Sequence, residues 1–392
     1  MARCTKQAAD MERYDCIVVG TGGVGSAALY HLARRGVRAL GLDRFPPGHD
    51  RGSSHGDTRI IRLAYFEHPN YVPMLRRAYT LWAELAARCG QQLYHEIGLL
   101  QIGPGNGVVV PGVLASAKAH GLEVEELTAS EVEHRFSGFR VPEPMTAVFE
   151  RQAGYLRVEA CVLAHVGEAV KLGAEVRNGE PVRAWRAEGS GVVVTTEQGT
   201  YAADRLVITP GAWAANLLGD LGIGFAVRRK AVFWYQVTDP AYSAANGCPI
   251  FLYEAPAGIF YGYPQIDRFG LKIAEHSGGQ PVADPLTVNR ELDPQDQQRV
   301  ESFLQEYLPG VTPHCQKHVV CMYTMSPDEH FVVDRHPQYP RVAFAAGLSG
   351  HGFKFTGVLG EALTELVLDG QTSAPIGFLA CDRFTRDDPP RP

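Results

Sequence analysis

Residues 14–43 read YDCIVVGTGGVGSAALYHLARRGVRALGLD, and this stretch decides the fold. Cys16-Ile17-Val18-Val19 is an apolar run of buried-strand length, and Gly20-Thr21-Gly22-Gly23-Val24-Gly25 follows it directly. Ser26 to Ala33 then has the spacing of a helix with small residues toward a sheet, ended by Gly36. Val37 to Leu42 is a second buried strand, closed by Asp43. Each part has a physical task. Gly20 permits the tight turn, Gly22 lets the backbone approach a pyrophosphate, and Gly25 allows helix and strand to pack closely. The helix start offers free N–H groups and partial positive charge to phosphates. Asp43, 18 positions after Gly25, is placed to accept hydrogen bonds from a ribose. The stretch predicts a strand–turn–helix–strand unit that binds a dinucleotide.

Working outward, 392 residues imply more than one core. The net charge of −6 argues against nucleic acid or an anionic membrane as the main partner. Eight cysteines are scattered without a CxxC pair, which suits a reducing compartment. No apolar run has the length of a membrane span, so a cytoplasmic protein is expected. Residues 1–10 read as a loose polar extension before the fold begins.

Beyond Asp43 a Pro- and Gly-containing loop runs into Gly52-Ser53-Ser54-His55-Gly56-Asp57-Thr58-Arg59-Ile60-Ile61-Arg62. Loops at the carboxyl ends of parallel strands are where α/β sheets bind ligands, and Arg59 and Arg62 would suit an anion or a polarised ring. Helical spacing is expected over 71–88, 112–120, 123–136 and 158–172, with strands at 99–102, 147–149, 173–177, 182–185, 192–196, 199–203 and 206–209. From Arg228 to His276 the pattern changes to aromatic strands that mix polar and apolar positions. These predict an antiparallel sheet with one face on a cavity, into which Tyr261, Tyr263, Lys272 and His276 point. A second Gly-rich loop, Gly347-Leu348-Ser349-Gly350-His351-Gly352-Phe353-Lys354-Phe355, follows the apolar run Val342 to Ala346 and opens a helix from Thr356 to Leu368.

Three motifs in this order, namely Gly52 to Arg62, Cys321-Met322-Tyr323-Thr324 with Asp328-Glu329-His330-Phe331, and Gly347 to Phe355, resemble those of the monomeric sarcosine oxidase family, which includes N-methyltryptophan oxidase and pipecolate oxidase. The resemblance runs from Tyr14 to about Phe384 and implies a two-domain flavoprotein of the D-amino acid oxidase type. That plan joins a Rossmann-like FAD-binding domain (11–91, 153–225 and 328–392) to an antiparallel-sheet substrate domain (92–152 and 226–327). It implies FAD carried by Gly20, Gly22, Gly25, Asp43, Arg44, Ser53, Thr58, Val182, Gly347, Gly350, Gly352, Phe353 and Lys354, with Cys321 bonded covalently to the flavin. Lys272 matches the family lysine that activates oxygen, and Arg59, Thr58 and His55 are expected near the ring. Arg62 and Lys354 match the pair that grips the substrate carboxylate. Tyr261 and His276 match side chains bordering the substrate, and Tyr323, His351 and Gly350 complete that cavity.

The implied reaction is oxidation of a secondary amino acid by a monomer, with oxygen reduced to hydrogen peroxide and the imine hydrolysed. The alternatives are a cyclic imino acid oxidase or a flavin dehydrogenase with another acceptor. Bacterial sarcosine oxidases carry His where Leu63 stands and Gly where Phe66 stands, and the Arg229-Lys230 junction is closer to the N-methyltryptophan branch.

Overall fold

The computed structural model describes residues 11–384. The expected polar extension at 1–10 lies outside the described residues.

The Glu12–Val19 strand sits between two parallel partners, Ala39–Leu42 on one side and Thr200–Ile208 on the other. Glu175–Arg177 extends the sheet beyond Ala39–Leu42, and Val342–Ala346 extends it beyond the second half of Thr200–Ile208. Chain order reverses direction at Glu12–Val19, so the carboxyl ends of these strands open a crevice beside Gly20. The run Cys16–Val19 is apolar throughout because the sheet is covered on both faces. Cys16 and Val18 join a core with Leu29, Leu75 and Leu363, whereas Ile17 and Val19 join another with Val194, Ala214 and Leu218. Helices Gly23–Arg34 and Thr356–Asp369 cross on the first of these faces. Any side chain at Gly360 would strike Ala27, so small residues bring the two helices close.

A second sheet of nine strands is almost wholly antiparallel, with one parallel join where Ile250–Ala255 meets Leu99–Pro104. The expected aromatic strands form its centre: Ala226–Val237, Leu271–Glu275, Gly258–Tyr263 and Ile250–Ala255 lie side by side. One face packs on helix Pro294–Tyr307 through Phe251, Phe260 and Phe303. The other face carries Trp234, Leu252, Tyr261 and Tyr263, which pack with Ile60, Val113 and Tyr155. The long Val311–Met325 strand pairs with Ala226–Val237 and brings Cys321 opposite Lys230.

Two expectations change. Residues 123–136 are not one helix: Glu125–Thr128 is an exposed edge strand, and Ala129–Arg135 is a short helix. Thr128 starts that helix with a capping box, its hydroxyl accepting from the Glu131 N–H while the Glu131 carboxylate accepts from the Thr128 N–H. Runs 199–203 and 206–209 are a single strand, Thr200–Ile208, whose first half pairs with the Gly191–Thr196 hairpin arm and whose second half pairs with Val342–Ala346.

Candidate active site

Gly20 adopts φ +84°, and a side chain there would collide with the Thr209 carbonyl. The turn therefore needs glycine and delivers the chain straight into helix Gly23–Arg34. That helix has no side-chain cap of its own at Gly22. Instead, the Gly23 N–H donates to Ser54 Oγ at 3.1 Å. The Asp43 carboxylate accepts from the Thr21 N–H at 2.6 Å and the Phe45 N–H at 2.9 Å, so its orientation is set by backbone.

One elongated cavity begins between Asp43, Val182 and Trp213 and passes Gly20, Gly22 and Gly23. It then runs along Gly347, Gly350, Gly352 and Phe353 to end against Arg59 and Tyr323. Gly350 has φ +85° with the Tyr323 ring against it, so a side chain there would meet the ring. Three buried polar atoms in the wall of this cavity have no hydrogen-bond partner among the described residues: Trp213 Nε1, Thr324 Oγ1 and Thr356 Oγ1.

At its far end the Arg59 guanidinium donates to the carbonyls of Ser53 (3.0 Å) and Thr58 (2.9 Å) and lies 3.2 Å from Cys321 Sγ. Burial alone would raise the Cys321 thiol, but the charge of Arg59 and the neighbouring His55 outweigh it and bring the thiol down to about 6. The other cysteines whose thiols shift (16, 161, 248, 315 and 381) move upward through burial. Lys272 stands behind this end. Its ammonium donates to Gly56 O (2.5 Å), Thr58 O (2.9 Å) and Thr58 Oγ1 (2.8 Å) and lies over the Tyr263 ring. Burial, then the like charge of Arg59, pushes it well below the ordinary lysine range.

A second cavity abuts the first, sharing Arg59, Tyr323, Gly350 and Phe353. Tyr261, Tyr263, His276 and Leu252 form its aromatic and apolar wall, and Arg62, Glu67, His351 and Lys354 its charged end. Arg62 is buried and donates to both oxygens of Glu67 at 2.7 Å. Burial opposes ionisation of Glu67, but Arg62 prevails and holds the carboxyl at about 2. Lys354 donates to His351 O at 2.8 Å and lies over the Tyr65 ring. Burial, followed by the charge of Arg62, drives it well below the ordinary lysine range. His276 and His351 are pushed down by burial to about 3 and about 4, so both rings are neutral near pH 7.

Residues 15–366 match the DAO family model, FAD dependent oxidoreductase. The chain is 42% identical over 375 residues to the monomeric sarcosine oxidase of Arthrobacter sp. strain TE1826, covering 94% of this chain and 96% of that protein. It is 39% identical to the N-methyl-L-tryptophan oxidase of Yersinia pestis strain Pestoides F, covering 95% and 99%. The chain belongs to the FAD-dependent oxidoreductases of the monomeric sarcosine oxidase family. Among solved structures, NikD, an unusual amino acid oxidase essential for nikkomycin biosynthesis, superposes in its open form with TM-score 0.83 and 26% identity over 94% of this chain and 97% of that one. Glycine oxidase from Geobacillus kaustophilus shares the fold at TM-score 0.78.

The elongated cavity fits FAD. Asp43 would hold the adenosine ribose, the N-terminus of helix Gly23–Arg34 the pyrophosphate, and the turn from Gly347 to Phe353 the ring end. The unpartnered Trp213, Thr324 and Thr356 atoms would supply polar contacts along the way. Of the expected cofactor residues, Gly20, Gly22, Asp43, Arg44, Ser53, Val182, Gly347, Gly350, Gly352 and Phe353 line this cavity. Gly25 does not, because it is packed against the Gly20 carbonyl. Cys321, His55, Thr58 and Lys272 also lie behind the two cavity walls rather than in them. Lys272 was expected to point into the cavity; the carbonyls of the 56–58 turn capture its ammonium instead. The substrate-side residues Arg62, Lys354, Tyr261, Tyr323, His276, His351 and Gly350 all line the second cavity. Sequence reasoning missed Glu67, Trp213 and Thr356. A carboxylate in an anion site runs against intuition, and only its position five residues after Arg62, across a turn, hints at the pair.

Proposed function

We propose that this protein is an oxidase of secondary α-amino acids, with sarcosine and N-methyl-L-amino acids as the substrate class, FAD as the cofactor and oxygen as the acceptor. The observation that carries this reading is the convergence of two buried cations, Arg62 and Lys354, in an aromatic pocket that shares its wall with the ring end of the dinucleotide cavity. When bound, FAD would supply the two-electron acceptor, taking a hydride from the amino acid's C–H to leave a protonated imine for hydrolysis and passing that hydride, with a proton, to oxygen as hydrogen peroxide. The chain's own residues do the rest. A carboxylate entering the pocket adds a counter-charge beside Lys354 and so favours its charged form, which burial and Arg62 oppose, and Arg62 offers a planar fork to the same group. Arg59, Arg62 and Lys354 together disfavour a protonated substrate amine, which leaves its nitrogen neutral. Neutral His276 and the hydroxyls of Tyr261 and Tyr323 border the amine.

Cys321 is assigned as the covalent attachment point and Lys272 as the oxygen-activating cation, positioned by the carbonyls of Gly56 and Thr58. In this reading 11–91, 153–225 and 328–392 form the FAD-binding domain, of which 385–392 lie outside the described residues, and 92–152 with 226–327 form the substrate domain. The protein is inferred to act as a cytoplasmic monomer. Its sarcosine oxidase relatives are named monomeric, and no helix among the described residues is long and apolar enough to cross a membrane.

The test is a peroxide assay over sarcosine, N-methyl-L-tryptophan, L-pipecolate, L-proline and glycine. N-methyl amino acids giving the highest kcat/KM supports the reading. Turnover confined to cyclic imino acids would move the assignment to that branch. Lys272→Met is expected to slow oxygen consumption by about 10²–10³-fold while the anaerobic reaction with the amine persists, as read by stopped-flow absorbance. Equal losses in both halves would remove Lys272 from the oxygen step.

A further inference from the structure

The 56–58 turn that captures Lys272 is itself held from outside. Gly56 adopts φ +88° and Asp57 φ +69°, and a residue with a side chain keeps such a left-handed conformation only where its surroundings impose it. Those surroundings are the start of helix Val158–Lys171, which has no side-chain cap at Arg157. Glu159 lies in the first turn of that helix. One oxygen of its carboxylate accepts from the Gly56 N–H at 2.7 Å and from the Asp57 N–H at 3.2 Å. The Val158 N–H donates in return to the Asp57 carbonyl at 3.0 Å. With these groups fixed on the helix side, the carbonyls of Gly56 and Thr58 and the Thr58 hydroxyl accept from the Lys272 ammonium. Glu159 and Lys272 are therefore the two ends of one chain of hydrogen bonds that runs through the turn. Glu159 lines neither cavity, so it acts on the site only through its neighbours.

We propose that Glu159 is a positioning residue for the oxygen step: its carboxylate fixes the 56–58 turn that holds the Lys272 ammonium and favours the charged form of that ammonium. This rests on the assignment of Lys272 made above and names the group that keeps it in place. The first effect is geometric. Without the carboxylate, two backbone N–H groups lose their acceptor, the left-handed turn relaxes, and the three acceptors around Lys272 shift. The second effect is electrostatic. Burial and Arg59 oppose the charge on Lys272, whereas Asp57, Glu159 and the Cys321 sulfur favour it. Tyr263 lies under the ammonium, and Lys317 shares the Trp234 ring with it. Asp57 is already paired with Lys317 at 3.0 Å, while the Glu159 carboxylate has only the turn's N–H groups as partners among the described residues. Removing the Glu159 charge therefore makes Lys272 lose its proton at lower pH.

The test has two arms. In the first, FAD-loaded wild type, Glu159→Gln, Glu159→Ala and Lys272→Met are titrated to full reduction with dithionite and mixed with oxygenated buffer, so that no amino acid is needed. Glu159→Ala is expected to slow flavin reoxidation by about ten- to a hundredfold. Glu159→Gln keeps an acceptor oxygen but not the charge. It is expected to reoxidise normally at the acid end, with the fall at rising pH moved to lower pH. Reduction by sarcosine stays within about twofold in both variants, because the Arg62–Lys354 pocket is untouched. The second arm needs no flavin and reads urea midpoints of the apoprotein for Glu159→Ala, Lys272→Met and the double variant. The double variant is expected to shift the midpoint by less than the sum of the single shifts. Wild-type reoxidation rates and pH profile in both Glu159 variants, with Lys272→Met slow, overturn the proposal. Equal losses in reduction and reoxidation, or additive urea shifts, overturn it too. If Lys272→Met itself reoxidises like wild type, the oxygen assignment of Lys272 fails, and the urea cycle alone decides whether Glu159 holds the lysine.

Discussion

Cys321→Ser is expected to release all flavin into the supernatant on acid precipitation, whereas the wild-type pellet stays yellow. The argument is electrostatic. A buried thiol is normally inert because burial disfavours the thiolate. At Cys321 the Arg59 guanidinium, 3.2 Å from the sulfur, and the nearby His55 reverse that and hold the thiol at about 6. The thiolate is therefore favoured at neutral pH, just behind the wall where Arg59 ends the cavity. A serine hydroxyl in the same place cannot ionise in this range, so attachment stops completely rather than slowing. The sign of the pH dependence follows. In apoprotein mixed with FAD, attachment should slow about tenfold per pH unit below about 6 and level off above about 7, following the thiolate fraction. Arg59→Met removes the opposing charge, lets burial dominate and moves that profile upward. Attachment that is independent of pH between 5 and 8 would contradict the thiolate account.

Removing the carboxylate clamp gives the second large effect. Arg62→Met alone strands the buried Glu67 carboxylate, a change that typically costs about 3–5 kcal/mol of stability. The informative variant is therefore Arg62→Met combined with Glu67→Gln. Its kcat/KM for sarcosine should fall by about 30- to 4,000-fold, equivalent to the roughly 2–5 kcal/mol of a truncated, buried, hydrogen-bonded charge pair. The loss should reside mainly in KM, because the clamp holds substrate before and during reaction alike. Glu67→Gln alone is the control. It frees Arg62 from its present partner, so KM is expected to fall or hold steady. If the double variant retains wild-type KM, the carboxylate binds elsewhere.

The parts legible in the sequence were those where one local rule acts alone. Cys16–Val19 is apolar on both faces because helices and a hairpin cover both sides of its sheet, and Gly20 is required by its own φ. The aromatic strands from 226 to 275 alternate because one face meets a helix and the other a cavity. Residues 123–136 were misleading for an equally local reason. An exposed edge strand and a solvated helix face carry the same glutamates, and only Thr128 and Glu131, spaced as a capping box, mark the boundary. Contacts between residues far apart in the chain escaped the sequence even where the residues themselves were named. Lys272 meets the 56–58 turn more than 200 positions away, and no spacing rule encodes that pairing.

The central claim is that the dinucleotide cavity holds a flavin that an amino acid in the Arg62–Lys354 pocket reduces. Anaerobic mixing of the purified yellow protein with sarcosine or N-methyl-L-tryptophan tests it directly. With one equivalent of amino acid per flavin, the account predicts that the visible flavin absorbance bleaches and returns on admission of air, with one peroxide formed per flavin. A flavin that keeps its colour against every N-methyl and cyclic amino acid in the panel would contradict it.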